Sequence, residues 1–134
     1  MGIKVDKADA LFSKMVRERD GWRCQFCLKQ YEPPTNGLQC SHFWGRGMKT
    51  VRFDPLNCDA LCYGCHARHE GNKHGFYEEW KLEQLGKRVL ADLERRARST
   101  GKYGEYEKKI VYAELKRQYA AGEHLEAGWR GVRL

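Results

Sequence analysis

Four cysteines stand in two identical spacings, Cys24-x-x-Cys27 and Cys62-x-x-Cys65. Two intervening residues make a tight turn that lets both sulfurs of a pair face one ion, and two such pairs complete a tetrahedral thiolate shell. The pattern predicts a structural four-cysteine site for Zn²⁺. A redox dithiol is the competing chemistry, but it ordinarily occurs singly, at a helix start behind a βαβ-like strand, which is not the setting here. Two unrelated buried pairs remain the plainer alternative. Residues 28–61 separate the pairs, more than a zinc ribbon needs, so something substantial is inserted between the half-sites. Inside and beside that insert lie His42, Asn57, His66 and His69. Taken singly, these read as a strand residue, a turn former and two solvated helix residues. Cys40 and Cys58 are left over. They read first as small buried apolar side chains and second as alternate zinc ligands.

These residues need elements to position them. Ala8, Leu11, Phe12, Met15 and Val16 recur at helical spacing, predicting an amphipathic helix over 7–20 that ends at Asp20-Gly21. Residues 38–44 and 51–53 are strand candidates, joined by the glycine-rich basic loop Gly45 to Thr50. A short helix is expected to open at Cys65-His66 and fade at Gly71-Asn72. A longer one runs from about Phe76 to Ala97, broken near Gly86, with Leu82, Leu85, Val89 and Leu93 as its apolar stripe. A last helix is expected over 105–120, with Ile110, Val111, Leu115 and Tyr119 on one face, and 122–134 reads as a loose tail. The whole, residues 1–134, is a single domain. Its 134 residues are 41% apolar and 32% charged, enough for a modest core and too apolar for a disordered tail. No apolar run is long enough for a membrane span, and the first 30 residues hold no signal-peptide stretch. A soluble, cytoplasmic protein is expected. Six cysteines in such a chain point to metal rather than disulfides. The formal charge of +7 points to a polyanionic partner, most commonly nucleic acid, and would also fit a ribosomal or membrane-surface protein.

The order of the histidines and the asparagine adds to this. A His at a strand end, an Asn after a turn and a His opening a helix beside a zinc cysteine are similar to the HNH nucleases, also called ββα-metal or His-Me finger nucleases. The surrounding words extend the likeness. Cys40-Ser41-His42-Phe43, Arg46-Gly47, Arg52-Phe53-Asp54, Asn57, Cys62-x-x-Cys65 and Glu70-Gly71-Asn72 resemble the NinG/Rap family of lambdoid bacteriophages, as does Leu11-Phe12-Ser13 before the first knuckle. The resemblance covers roughly residues 7–98 and is most specific from 40 to 72. It implies an α+β fold: a small ββα-metal (HNH) core with a four-cysteine structural zinc, flanked by N-terminal and C-terminal α-helices. It also implies a phage-encoded recombination nuclease, working in the bacterial host cytoplasm on branched DNA such as Holliday junctions.

Under that resemblance the residue types suit phosphodiester hydrolysis, which needs a base for water, positive charge at the phosphate and stabilisation of the leaving oxygen. His42 would be the base. The Asn57 carbonyl would accept the imidazole's other N–H, Arg46 would clamp a phosphate, and His66 would hold a single Mg²⁺ or Mn²⁺. The residue before the base, often a second metal ligand in HNH proteins, is here Ser41. His69 would then assist, or instead meet a phosphate or solvent, while Arg46 could equally be a plain surface charge. Lys49, Arg52, Lys87, Arg88, Arg95, Arg96 and Arg98 read as charges that position phosphates, without base readout, some of them only solvated helix faces. A junction nuclease cuts two symmetric strands, which favours a homodimer, and recombination proteins of phage or host would be its partners. A non-catalytic zinc-finger nucleic-acid-binding module and a recombination adaptor are the competing readings.

Overall fold

The computed structural model describes residues 4–71 and 73–134, and Asn72, the end of one quoted motif, lies outside them. Helix α1, Lys7–Arg19, starts where Asp6 caps it: the Asp6 carboxylate accepts from the Asp9 N–H while Asp9 accepts from the Asp6 N–H. Strand β1, Leu38–His42, pairs antiparallel with β2, Cys58–Cys62, in a two-stranded sheet with His42 opposite Cys58 and Leu38 opposite Cys62. Helix α2, Tyr63–Gly71, follows β2 without a loop. A wide turn over Lys73–Tyr77, kinked at Gly75, leads to α3, Glu78–Leu85. Helix α4, Lys87–Ala97, starts beyond Gly86 at a positive φ of 83°, and α5 is Glu105–Ala121. The chain is thus mixed α/β, with five α-helices and one small sheet among the described residues.

Three buried clusters hold these elements. Phe12, Met15 and Val16 of α1 pack on Val111 and Leu115 of α5, with Phe53 and Cys58 between. Leu38, Ala60 and Leu61 of the sheet pack with Cys24 and Cys65. Phe43, Val51 and Tyr77 pack on Leu93 and Ala97 of α4. Both long apolar stripes are narrower than their periodicity suggested, since Leu82, Val89 and Ile110 are exposed.

Two further expectations are corrected. Residues 51–53 are not a strand: Lys49–Val51 form a 3₁₀ turn, which sends Val51 and Phe53 into different clusters. The partner of β1 is β2, buried on both faces. Its Asp59 is neutralised by Lys81 (Nζ–Oδ2 2.9 Å), whose ammonium also donates to the Leu56 carbonyl. Residues 122–134 are no loose tail either. Trp129 packs tilted against Phe12 and donates to Gln118, and the Val132 N–H donates to the Phe53 carbonyl at 3.0 Å. Gly131, at φ 63°, makes that approach feasible, because a Cβ there would lie 2.1 Å from the Phe53 oxygen.

Candidate metal centre and adjoining cleft

The two C-x-x-C turns converge. Cys24 and Cys27 lie in the turn just after α1, where Trp22 and Leu28 both take left-handed backbone conformations. Cys62 ends β2 and Cys65 lies in the first turn of α2. All four sulfurs fall within 4.8 Å of one another, and those of Cys27 and Cys62 are 3.8 Å apart. That spacing is close to the edge of a tetrahedron whose centre is about 2.3 Å from each sulfur, the Zn–S bond length. In each pair the later N–H donates to the earlier sulfur, Cys27 to Cys24 and Cys65 to Cys62, both at 3.5 Å. Burial opposes ionisation of Cys24, yet N–H donors from Cys27, Cys62 and Phe26 bring its thiol down to about 7. The cluster can hold a metal ion, and its donor set suits a soft or borderline one.

Beside it, a cleft of about 480 Å³ opens along the edge of β1, between α1 and α2. His42, Arg46, His66 and Glu70 line it, facing Asp9 and Arg17 of α1. The His42 Nε2 lies 2.9 Å from the Arg52 carbonyl. A carbonyl only accepts, so Nε2 carries the proton and Nδ1 keeps a lone pair. Burial pushes the imidazole down to about 4, against the Arg52 hydrogen bond, and the Arg46 charge acts in the same direction as burial. The ring is therefore neutral across physiological pH. Arg52 is itself fixed, because its guanidinium grips Asp9 of α1 through two hydrogen bonds, Nε–Oδ1 2.9 Å and Nη2–Oδ2 2.5 Å.

Arg46 reaches the cleft from the glycine-rich loop. Its guanidinium is 3.7 Å from Asp9, and its Nη1 is buried with no hydrogen-bond partner among the described residues. His66 is oriented through Nδ1 by the Gln39 side-chain oxygen at 2.6 Å. Its Nε2 sits 3.6 Å from the Glu70 carboxylate, one helical turn on. Imidazole and carboxylate together form a mixed N/O donor pair able to take a divalent ion.

Three sequence expectations change, and Ser41 finds its place. The Asn57 side chain makes no hydrogen bond to His42 among the described residues. Fully buried, it accepts from the Trp44 N–H (2.8 Å) and donates to the Trp44 (2.9 Å) and Val51 (3.1 Å) carbonyls, stapling the loop that carries Arg46. His69 is not in the cleft. Three residues past His66, it turns inward, donates from Nδ1 to the Cys65 carbonyl at 2.8 Å and is boxed by the edges of Phe26, Phe76, Tyr77 and Trp80. Ser41 alternates to the other face of β1 and bonds the Tyr77 hydroxyl, so it cannot meet an ion beside His42. Arg52 and Arg96 are internal ion-pair partners of Asp9 and Asp54, whereas Lys49, Lys87, Arg88, Arg95 and Arg98 are exposed.

The sequence reading missed Glu70, Gln39 and Asp9 as site residues. Only Glu70 carried a local signal, its i,i+4 spacing from His66. No helix among the described residues is long and apolar enough to cross a membrane. No family model, curated protein or solved structure matches the chain.

Proposed function

We propose that the chain is a metal-dependent endonuclease of the HNH type, resembling the NinG/Rap nucleases and hydrolysing DNA phosphodiester bonds in branched recombination intermediates. One observation carries the reading: His42, Arg46 and His66, brought from a strand end, a loop and a helix start, line a single solvent-open cleft. On this reading the order β1–β2–α2 is the ββα unit, and the four-cysteine cluster, filled by Zn²⁺, ties its far end to α1.

The chain's own residues would work as follows. The Arg52 carbonyl holds the His42 ring in one tautomer, leaving Nδ1 to take the proton of an attacking water. This is the orienting role that the resemblance gives to Asn57, performed here by a backbone oxygen. The Nη1 of Arg46, which makes no hydrogen bond among the described residues and lies 3.7 Å from the Asp9 carboxylate, would donate to a phosphate oxygen. His66, with Glu70, would hold Mg²⁺ or Mn²⁺. Such an ion supplies positive charge at the scissile phosphate and the leaving 3′ oxygen. The exposed Lys49, Lys87, Arg88, Arg95 and Arg98 would neutralise flanking phosphates, a sequence-independent attraction that weakens with salt.

The test is cleavage of labelled four-way junction, flap, single-stranded and duplex DNA side by side, with Mg²⁺ or Mn²⁺ present and then removed. Ion-dependent cutting fastest on the branched substrates is expected. Binding without cutting on every substrate would overturn the enzyme reading in favour of a nucleic-acid-binding module.

A further inference from the structure

Cys40 and Cys58 stand outside both the knuckles and the proposed reaction, and the sheet register gives them a role. His42 lies directly opposite Cys58, and Cys40, two residues before His42, projects from the same face of the sheet. The two sulfurs and a His42 ring nitrogen lie within 4.8 Å of one another. A four-coordinate zinc with bonds of about 2.3 Å to sulfur and 2.0 Å to nitrogen sets its donors roughly 3.5–3.8 Å apart.

Burial holds the Cys58 thiol protonated, with the Arg19 and Lys81 charges acting the other way. Cys40 and His42 both line the cleft, which gives an ion a path from solvent, whereas Cys58 closes the site from inside. Because the His42 Nε2 is committed to the Arg52 carbonyl, Nδ1 is the nitrogen left to ligate.

We infer that Cys40, His42 and Cys58 form a second site, of two thiolates and one imidazole, for a thiophilic divalent ion such as Zn²⁺, distinct from the four-cysteine cluster and open toward the cleft at its fourth position. Two thiolates and an imidazole select zinc over Mg²⁺ or Mn²⁺, which prefer oxygen ligands. Binding releases the two thiol protons to solvent. The ion occupies the lone pair with which His42 would take a proton, so filling this site switches the cleft off. That consequence rests on the nuclease reading; the site itself does not.

The test is equilibrium dialysis of the full chain against Zn²⁺, with a non-chelating reductant, followed by elemental analysis. Wild type is expected to hold two zinc ions per chain, and Cys40→Ser and Cys58→Ala one each. The retained ion reports an intact four-cysteine cluster and hence a folded variant. In a parallel cleavage assay at fixed Mg²⁺, zinc should inhibit wild type, and Cys40→Ser should need at least about tenfold more zinc for the same inhibition. One zinc in wild type, two in both variants, or equal zinc sensitivity of wild type and Cys40→Ser overturns the inference. If wild type holds two ions and the variants one, but nothing cleaves DNA, the site stands and the nuclease reading falls.

Discussion

The knuckle cluster and the cleft differ in how their parts are assembled. In the knuckle, each pair of ligands is separated by two residues in sequence, and local turns aim the sulfurs before any tertiary packing is needed. In the cleft, His42, Arg46 and His66 come from separate elements. Their aim depends on partners far along the chain: the Arg52 carbonyl, the Asn57 staple and the Gln39 amide. A site of the first kind depends chiefly on its ion. One of the second kind depends on everything packed behind it, so it can lose function while the fold survives.

The comparison is broken most severely at the knuckle. Cys62→Ala should release the ion and abolish the cooperative thermal transition, since thiolate–zinc binding is worth on the order of 10 kcal/mol in a domain with a small core. Elemental analysis and circular dichroism check this, and a metal-free variant that melts like wild type would show the cluster to be dispensable. The next largest effect belongs to Asn57→Ala, which strips partners from Trp44 and Val51. A loss of about 3 kcal/mol is expected in denaturant titration, from several buried groups left unpaired, together with slower cleavage as the Arg46 loop loosens.

The two α2 histidines sharpen the contrast. His66→Ala should raise the Mn²⁺ needed for half-maximal cleavage at least about tenfold, the scale on which metal sites respond to ligand changes, with little change in Tm. His69→Ala should do the reverse. Emptying the aromatic box lowers stability by about 2 kcal/mol, while the Mn²⁺ requirement stays put. Identical Mn²⁺ profiles for wild type and His66→Ala would remove that residue from the ion.

The smallest effect is acid sensitivity. His42 is held near 4 in the fold against about 6.5 unfolded. Between those values the unfolded chain binds a proton that the native one does not, so stability falls as pH drops from 6.5 toward 4. Melts at about pH 7 and about pH 5 should show a wild-type decline that is shallower in His42→Ala. For the same reason the wild-type cleavage rate should not halve near pH 6.5, the ordinary imidazole value.

What was legible in the sequence follows the same divide. The knuckles, the helix expected over 7–20 and the break at Gly86 are local signals, and the structure places them as expected. Strand β2 was hidden because it is covered on both faces and carries Asp59, a charge that only the distant Lys81 makes tolerable. The docking of Trp129 and Val132 depends on contacts with Phe12 and Phe53, far away in sequence. Arg52 acts on His42 through its backbone oxygen, and no side-chain pattern announces that. The residue types of His42, Asn57 and His66 invited a shared chemistry, but only the register separates a cleft residue from a loop staple.

The most direct test of the account compares wild type with His42→Ala in single-turnover cleavage of a branched DNA substrate, with Mg²⁺ or Mn²⁺ saturating. DNA affinity and the metal bound at the four-cysteine cluster are measured on the same preparations. General-base catalysis contributes about 10²–10⁴-fold, so the variant should cut slower by at least two orders of magnitude while binding DNA as tightly as wild type and keeping its knuckle ion. Cleavage by His42→Ala at the wild-type rate would contradict the account, because the proton would then be taken by a residue outside this constellation.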